Sequence, residues 1–239
     1  MAPMTAPPAM PAAPPCRFII VDDHPLFRGA LRQVLAHAFA EASIDEAASY
    51  EDLLPLLARG AEPDVVCLDL AMPGIQGLAG LMSLKAEYPA LPVIIVSATE
   101  DALTIRRCLD CGASGYVPKS QPVEKIRQAF ATVLAGGVSV PENLEPGAAA
   151  DDVVRQVLAR LSTLTPQQLR VLGMLGEGLL NKQIAYKLNV SEATIKAHVS
   201  AILQKLGVDS RTQAVIAINK CGLGAWAHTV LPVAVQPSD

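Results

Sequence analysis

Asp22 and Asp23, Asp69, Ser97 and Lys119 stand at or just beyond the ends of short, largely apolar runs: Phe18-Ile19-Ile20-Val21, Val65-Val66-Cys67-Leu68, Val93-Ile94-Ile95-Val96 and Gly115-Tyr116-Val117. A packed core does not explain polar groups at those places. Three carboxylates brought together repel one another. A divalent cation removes that cost, and Mg2+ favours one or two carboxylates, keeps several waters and bridges to phosphate oxygens. With such an ion, one carboxylate can attack a phosphoryl group and form an aspartyl phosphate. That reaction needs mostly positioning and charge neutralisation. Lys119 offers a cation for it and Ser97 a hydroxyl donor. Each residue alone has a plainer reading: an Asp pair caps a helix, a lone Lys is solvated, and Ser97 caps the helix that follows it. Four such signals in succession make coincidence a poor account.

The elements that must position these residues alternate. Wholly apolar runs of four residues are expected of parallel strands buried on both faces. Helical patterns lie between them: His24 to Phe39, a stretch begun by Ser49 as N-cap with Glu51 and Asp52 in its first turn, Leu78 to Tyr88, Asp101 to Asp110, and Pro122 to Ala135. A weaker strand falls near Ile44–Ala47. Five β-α repeats predict an α/β fold, a doubly wound five-stranded parallel sheet with helices on both faces. Chemistry in such sheets gathers at the carboxyl ends of the strands.

The 239 residues suit one large or two modest domains. The net charge of −4 hides an asymmetry. Residues 16–140 hold 10 Lys/Arg against 15 Asp/Glu, whereas residues 162–220 hold 7 against 3. An acidic half joined to a basic half is the pattern of a regulator attached to a polyanion binder. The basic half reads as helices throughout. Thr165-Pro166-Gln167-Gln168 has the form of a capping box with Pro at the first helical position. Asn181 is expected to cap a short helix through Leu188, and Ser191 a second through Leu206, with Asn189 in a left-handed turn between them. A last helix covers Arg211 to Lys220. Ile184, Ala185, Leu188, Val190, Ile195, Val199 and Ile202 are spaced to pack the middle pair, leaving Thr194, Lys196, Ala197, Ser200 and Gln204 outside. That is the spacing of a helix-turn-helix, whose second helix enters the major groove of DNA. Lys182, Lys187, Lys205 and Arg211 surround that face with charge for phosphates.

VDDHP, the DLAMPG around Asp69, VSA at 96–98 and GYVPK at 115–119 resemble the receiver domain of two-component response regulators. The resemblance implies a flavodoxin-like fold in which Asp69 is phosphorylated by a sensor histidine kinase. Asp23 would then be a direct ligand of Mg2+, Asp22 would act through bound water, and Ala71 would give its backbone carbonyl. Ser97 and Lys119 would contact phosphoryl oxygens, and Tyr116 would be the aromatic switch. Ser120 departs from the Pro that many receivers carry after this lysine. Residues 164–218 resemble the LuxR-type DNA-binding domain. That implies base contacts from Lys196, Ala197 and Ser200, and backbone contacts from Asn181, Lys182, Thr194, Lys205 and Arg211. Both domains together resemble the NarL/FixJ family. The expected organisation is a disordered tail at 1–15, a receiver at 16–138, a linker at 139–161 with Val153 to Leu161 helical, a LuxR-type domain at 162–222, and a tail at 223–239. The partners implied are DNA, a kinase, RNA polymerase and a second copy of the chain when phosphorylated or on DNA.

Competing readings are weaker. An aspartate-nucleophile phosphatase wants a second Asp at position 71, where Ala71 stands. A flavin protein would need a phosphate-cradling loop. A phosphorylation-independent DNA-binding regulator would not need the full acid set. Cys108 and Cys111 form a Cys-x-x-Cys pair without a companion pair, so core packing is expected over zinc or redox chemistry. His24 and His37 read as surface or loop residues. Gly74, Gly77 and Gly80 lack dinucleotide-fingerprint spacing. The N-terminus has no basic stretch before an apolar core, so no signal peptide is expected, and no apolar run is long enough to span a membrane. Five scattered cysteines suggest reduced thiols and a cytoplasmic setting. Control of DNA binding has two simple routes, release of a Lys196 face held by the acidic receiver or pairing of two chains, and both are expected to contribute.

Overall fold

The structure is a computed structural model, and it describes residues 16–59, 62–72, 78–142, 144 and 152–221. The expected tails at 1–15 and 223–239, and Gly74 and Gly77, lie outside the described residues. Five short strands form one parallel sheet: β1 (Arg17–Val21), β2 (Ser43–Ala47), β3 (Val65–Leu68), β4 (Val93–Ser97) and β5 (Gly115–Pro118), in the order β2-β1-β3-β4-β5. Side chains alternate across the strands. Phe18 and Ile20 therefore pack beneath α1 (Pro25–Ala38) and α5 (Val123–Leu134), where the Phe18 and Phe130 rings meet edge to face at 5.8 Å. Ile19 and Val21 point the other way, toward α2 (Tyr50–Ala58), α3 (Leu78–Glu87) and α4 (Ala102–Asp110). Ser49 caps α2 by accepting from the Asp52 N–H, as its position predicts. Strand order reverses between β1 and β3, the place where doubly wound sheets collect ligands.

The second half is helical: α6 (Asp152–Leu161), α7 (Pro166–Gly176), α8 (Asn181–Lys187), α9 (Glu192–Leu206) and α10 (Arg211–Lys220). Thr165 and Gln168 make the reciprocal capping box at the start of α7. One cap differs from expectation. Leu180, not Asn181, is the N-cap of α8, and the Gln183 side chain accepts from its N–H at 2.7 Å. An amide three residues on can do this whatever side chain the cap carries, so the Asn signal misplaced the start by one residue. Asn189 is left-handed at φ 52°, and it makes the turn between α8 and α9. Part of the expected linker is structured. Ser139 forms a parallel bridge with Gly115 at the edge of the sheet, and α6 is tied to α9 by Arg160, which donates to the Leu206 carbonyl at 2.7 Å. Glycine suits Gly207 there: its φ is 65°, where an L side chain is strained, and a Cβ would push the Arg160 guanidinium aside from 2.6 Å.

The two halves touch. α3 is buried on every side from Leu78 through Leu84, and α7 is buried from Val171 through Leu175. A helix apolar all round needs cover on both faces. α3 shares its apolar core with Ile19, Val21, Val66 and Leu68 of the sheet and packs against α7, while α4 packs on α6.

Candidate phosphoryl-transfer site and DNA-reading face

Backbone hydrogen bonds continue past the strand ends and hold the acidic residues in place. The Asp22 N–H donates to the Ala47 carbonyl at 3.1 Å, that of Asp69 to Val21 at 2.9 Å, and that of Lys119 to Ser97 at 2.8 Å. Asp22 and Asp69 are consequently buried, with side chains 3% and 1% exposed, and Asp23 stands at the rim at 26%. Lys119 Nζ lies 2.8 Å from Asp69 Oδ2 and 2.7 Å from Asp22 Oδ2, and 4.7 Å over the Phe27 ring. Partial burial alone would lower the Lys119 pKa. The bonds to Asp22 and Asp69 outweigh it and hold the ammonium above the ordinary lysine value. Asp22 Oδ2 and Asp23 Oδ1 have as their near neighbours the Lys119 ammonium and the His24 imidazole, and no further hydrogen-bond donor among the described residues. Buried carboxylate oxygens left in that state suit a hard cation.

Ser97 is buried at the end of β4, and its hydroxyl accepts from the Thr99 N–H at 3.3 Å. Tyr116 is fully buried, and its hydroxyl donates to the Thr99 carbonyl at 2.6 Å. Burial pushes that phenol well above its ordinary pKa, against a lowering by the Ser97 hydrogen bond. The Ala71 N–H donates to Asp69 Oδ1 at 3.2 Å. Ser120, where many receivers have Pro, bonds through its hydroxyl to Glu100. Asp22, Asp23, Asp69 and Lys119 thus meet at one point, with Ser97 held to Lys119 through the backbone. Sequence reasoning missed two neighbours. His24 reads as a loop residue, yet its Nδ1 lies 2.7 Å from Asp23 Oδ1. Phe27 lies under the lysine, and its place one turn beyond Asp23 on a helix starting at the site was the available signal.

Thr194, Lys196, Ala197 and Ser200 are exposed on α9, and Lys182 on α8, while Asn181 is half-buried. Lys196 Nζ pairs with Glu192 at 3.1 Å one turn earlier. Two residues assigned to DNA phosphates are engaged within the fold. Lys205 Nζ donates to Gln168 Oε1 and to the Thr163 carbonyl, both at 2.8 Å. Arg211 donates to the Leu175 and Leu179 carbonyls at 3.1 and 2.7 Å, satisfying the end of α7. Cys108 and Cys111 are buried, and burial pushes the Cys111 thiol up to about 12, with Cys221 of the helical half adding to it. Among the described residues the only candidate metal cluster is Asp22, Asp23, His24 and Asp69.

A parallel sheet with this acid site, followed by a helix-turn-helix, defines a phosphorylation-type receiver coupled to a DNA-binding unit. Residues 18–131 match the response regulator receiver domain family, and residues 162–218 match the bacterial regulatory proteins of the luxR family. The glycerol metabolism activator of Pseudomonas putida is 38% identical over 216 residues, covering 88% of this chain and 98% of that protein. The nitrate/nitrite response regulator NarP of Escherichia coli K12 is 34% identical over 207 residues, covering 87% and 96%. A solved LuxR-family response regulator from Aurantimonas sp. SI85-9A1 is 27% identical with a TM-score of 0.51, covering 54% of this chain and 92% of that one. The chain belongs to the NarL/FixJ type of two-component response regulator, with a receiver domain and a LuxR-type DNA-binding domain that make it a transcription regulator. No described helix is long and apolar enough to cross a membrane.

Proposed function

We propose that Asp69 is the phosphoacceptor and that its phosphorylation by a sensor histidine kinase controls sequence-specific DNA binding. The observation that carries this reading is the buried Asp69 carboxylate with the Lys119 ammonium on one oxygen and Asp22 and Asp23 beside it. An Asp69 oxygen attacks phosphorus, the bond from phosphorus to the donor's imidazole nitrogen breaks, and that nitrogen keeps the electron pair. Lys119 neutralises charge on the accepting side, and the Ser97 hydroxyl donates to the transferred group. Asp22, Asp23 and Asp69, with the Ala71 carbonyl, would hold Mg2+, which when bound offsets the charge of the carboxylates and phosphoryl oxygens. Tyr116 reports the state of Ser97 through Thr99. The only reaction assigned is the receiver's own phosphorylation and dephosphorylation. The working boundaries are 16–138 for the receiver, 139–161 for the connection and 162–222 for the DNA-binding domain, in a cytoplasmic protein.

Lys196, Ala197 and Ser200 read base edges, with Thr194, Asn181 and Lys182 at the phosphates. Two copies of the chain are expected on DNA, since helix-turn-helix proteins read half-sites related by symmetry. RNA polymerase is the further partner for a regulator bound at a promoter. Acetyl phosphate with Mg2+ should add one phosphoryl mass to the wild-type chain and none to Asp69→Asn. Equal labelling of the variant would remove Asp69 from the role.

A further inference from the structure

We propose that residues 138–144 are a releasable strap on the edge of β5, and that phosphorylation frees it to lengthen the tether between the two domains. The proposal rests on phosphorylation of Asp69 as the trigger. Gly136, left-handed at φ 81°, turns the chain out of α5 and back along the sheet. There Ser139 extends the sheet by one parallel rung beyond β5. Its N–H donates to the Ser114 carbonyl and its carbonyl accepts from the Tyr116 N–H, both at 3.0 Å. Glycine at 115 lets the strap come this close. A Cβ there would stand 3.2 Å from Ser139 Cβ and 3.3 Å from the Ser139 carbonyl oxygen. A turn from Pro141 to Leu144, closed by the Leu144 N–H at 3.1 Å, carries the chain to the apolar core that α4 shares with α6, and Leu144 packs on it.

The hold is slight. The next rung would need an N–H from residue 141, and Pro141 has none. Val138 and Val140 are 60% and 44% exposed, so the strap buries little apolar area. A cleft of about 480 Å3 lies between it and α5. Its ion pair, Glu142 with Lys125, is exposed. A segment with few buried contacts and exposed hydrogen bonds opens at low cost. One of its two rungs is made by Tyr116, whose hydroxyl holds the Thr99 carbonyl. A change at Ser97 that moves Thr99 and Tyr116 therefore reaches the strap through one residue. With the strap held, the tether runs from Leu144 to Asp152, the start of α6. With it lifted, the tether starts eight residues earlier, at Gly136, and gains up to roughly 26 Å at about 3.3 Å per residue. Lifting also draws Leu144 off the core at the seam. Symmetric half-sites lie about 34 Å apart, and a tether too short to span two sites adds nothing to binding. The longer tether lets two DNA-binding units reach both half-sites while their receivers pair.

The test uses the full-length chain. In hydrogen exchange read by NMR, the Ser139 amide should be protected in the resting chain and exchange roughly tenfold faster or more with beryllofluoride and Mg2+. Ser139→Pro removes the donor, and Gly115→Val drives a side chain into the strap. Each should tighten the resting chain on a duplex with two half-sites by roughly fivefold or more, and change binding to one half-site by less than about twofold. Ser139 lies at the open edge of the sheet, so its variant keeps the test available if Gly115→Val does not fold. Ser139 protection unchanged by beryllofluoride, or wild-type affinity for two half-sites in Ser139→Pro, would overturn the proposal. Asp69→Asn separates the two readings. If its Ser139 amide still loses protection with beryllofluoride, the strap stands and Asp69 is not the trigger. If Asp69→Asn abolishes the effect of beryllofluoride on DNA binding while wild-type Ser139 protection never changes, Asp69 stands and the strap is lost.

Discussion

Lys196 and Lys205 share one helix and do different work. Lys196 reaches outward, 65% exposed, and its pair with Glu192 one turn away is worth only about 0.3–0.5 kcal/mol. Lys205 turns inward and its ammonium bonds Gln168 and the Thr163 carbonyl, so it fastens α9 to the start of α7. Lys196→Ala should therefore leave the melting temperature nearly unchanged, while relaxing sequence choice by about 1–3 kcal/mol in competition binding. Lys205→Ala should destabilise the chain by about 1–3 kcal/mol, because Gln168 Oε1 loses a charged donor in a half-dry place. It should leave the salt dependence of DNA binding nearly as it was. A flattened salt slope with unchanged stability would return Lys205 to the phosphates. The difference was not legible in the sequence, since a lysine in a basic segment looks the same whether its charge faces DNA or a carbonyl. The strand-end acids were legible because each interrupts an apolar run where a core residue would otherwise continue. His24 was not, since an imidazole beside an acid pair fits a plain helix start equally well.

Among the elements, α4, like α3, meets both domains, as it lies on the sheet and packs on α6. Asp101 caps it by accepting from the Thr104 N–H at 2.9 Å. Slight burial would raise the Asp101 pKa, but the Thr104 and Leu103 donors and Arg107 outweigh it and hold the carboxyl below its ordinary value. A depressed folded value means the cap's stabilisation is present above the unfolded pKa and lost as pH falls through the folded one. Asp101→Ala should cost about 1 kcal/mol at neutral pH. The gap from wild type should narrow as pH falls below the ordinary Asp value of about 3.9, which urea titrations at several pH values would measure. A gap of constant size would mean that the carboxylate's charge contributes nothing. Element types and most boundaries were readable because capping residues and apolar runs are local signals. What covers α3 and α7 was not, because a helix apolar on every side declares that it is buried and not against what.

The whole molecule puts its domain contact away from the reading face. α3 and α4 meet α7 and α6, while Thr194, Lys196, Ala197 and Ser200 on α9 stay exposed. The expectation that the acidic receiver covers Lys196 therefore fails, because apolar packing and not net charge decides where the domains dock. A fragment from residue 150 onward would also strip α7 of its cover and expose apolar surface, which makes it a poor stand-in for the released domain. The path from the acid site to the seam is short. Ser97 Oγ holds the Thr99 N–H, the Thr99 carbonyl holds Tyr116, and Asp101 starts α4 two residues later. A phosphoryl group that draws on Ser97 can thus shift α4 against α6, altering the surface for pairing without touching α9. A ligand regulates only through differential affinity for the two states. With the reading face exposed here, that difference is expected in pairing. The full-length chain should bind a duplex carrying one half-site with an affinity that beryllofluoride and Mg2+ change by less than about twofold, under 0.5 kcal/mol. On a duplex with two symmetric half-sites, the same treatment should tighten binding by roughly tenfold or more, about 1.4 kcal/mol. Fluorescence anisotropy on the two duplexes, with sedimentation for the number of chains bound, decides between the routes. A tenfold gain on the single half-site would mean the receiver does hinder α9 in the resting chain, by blocking the approach of DNA and not by covering Lys196.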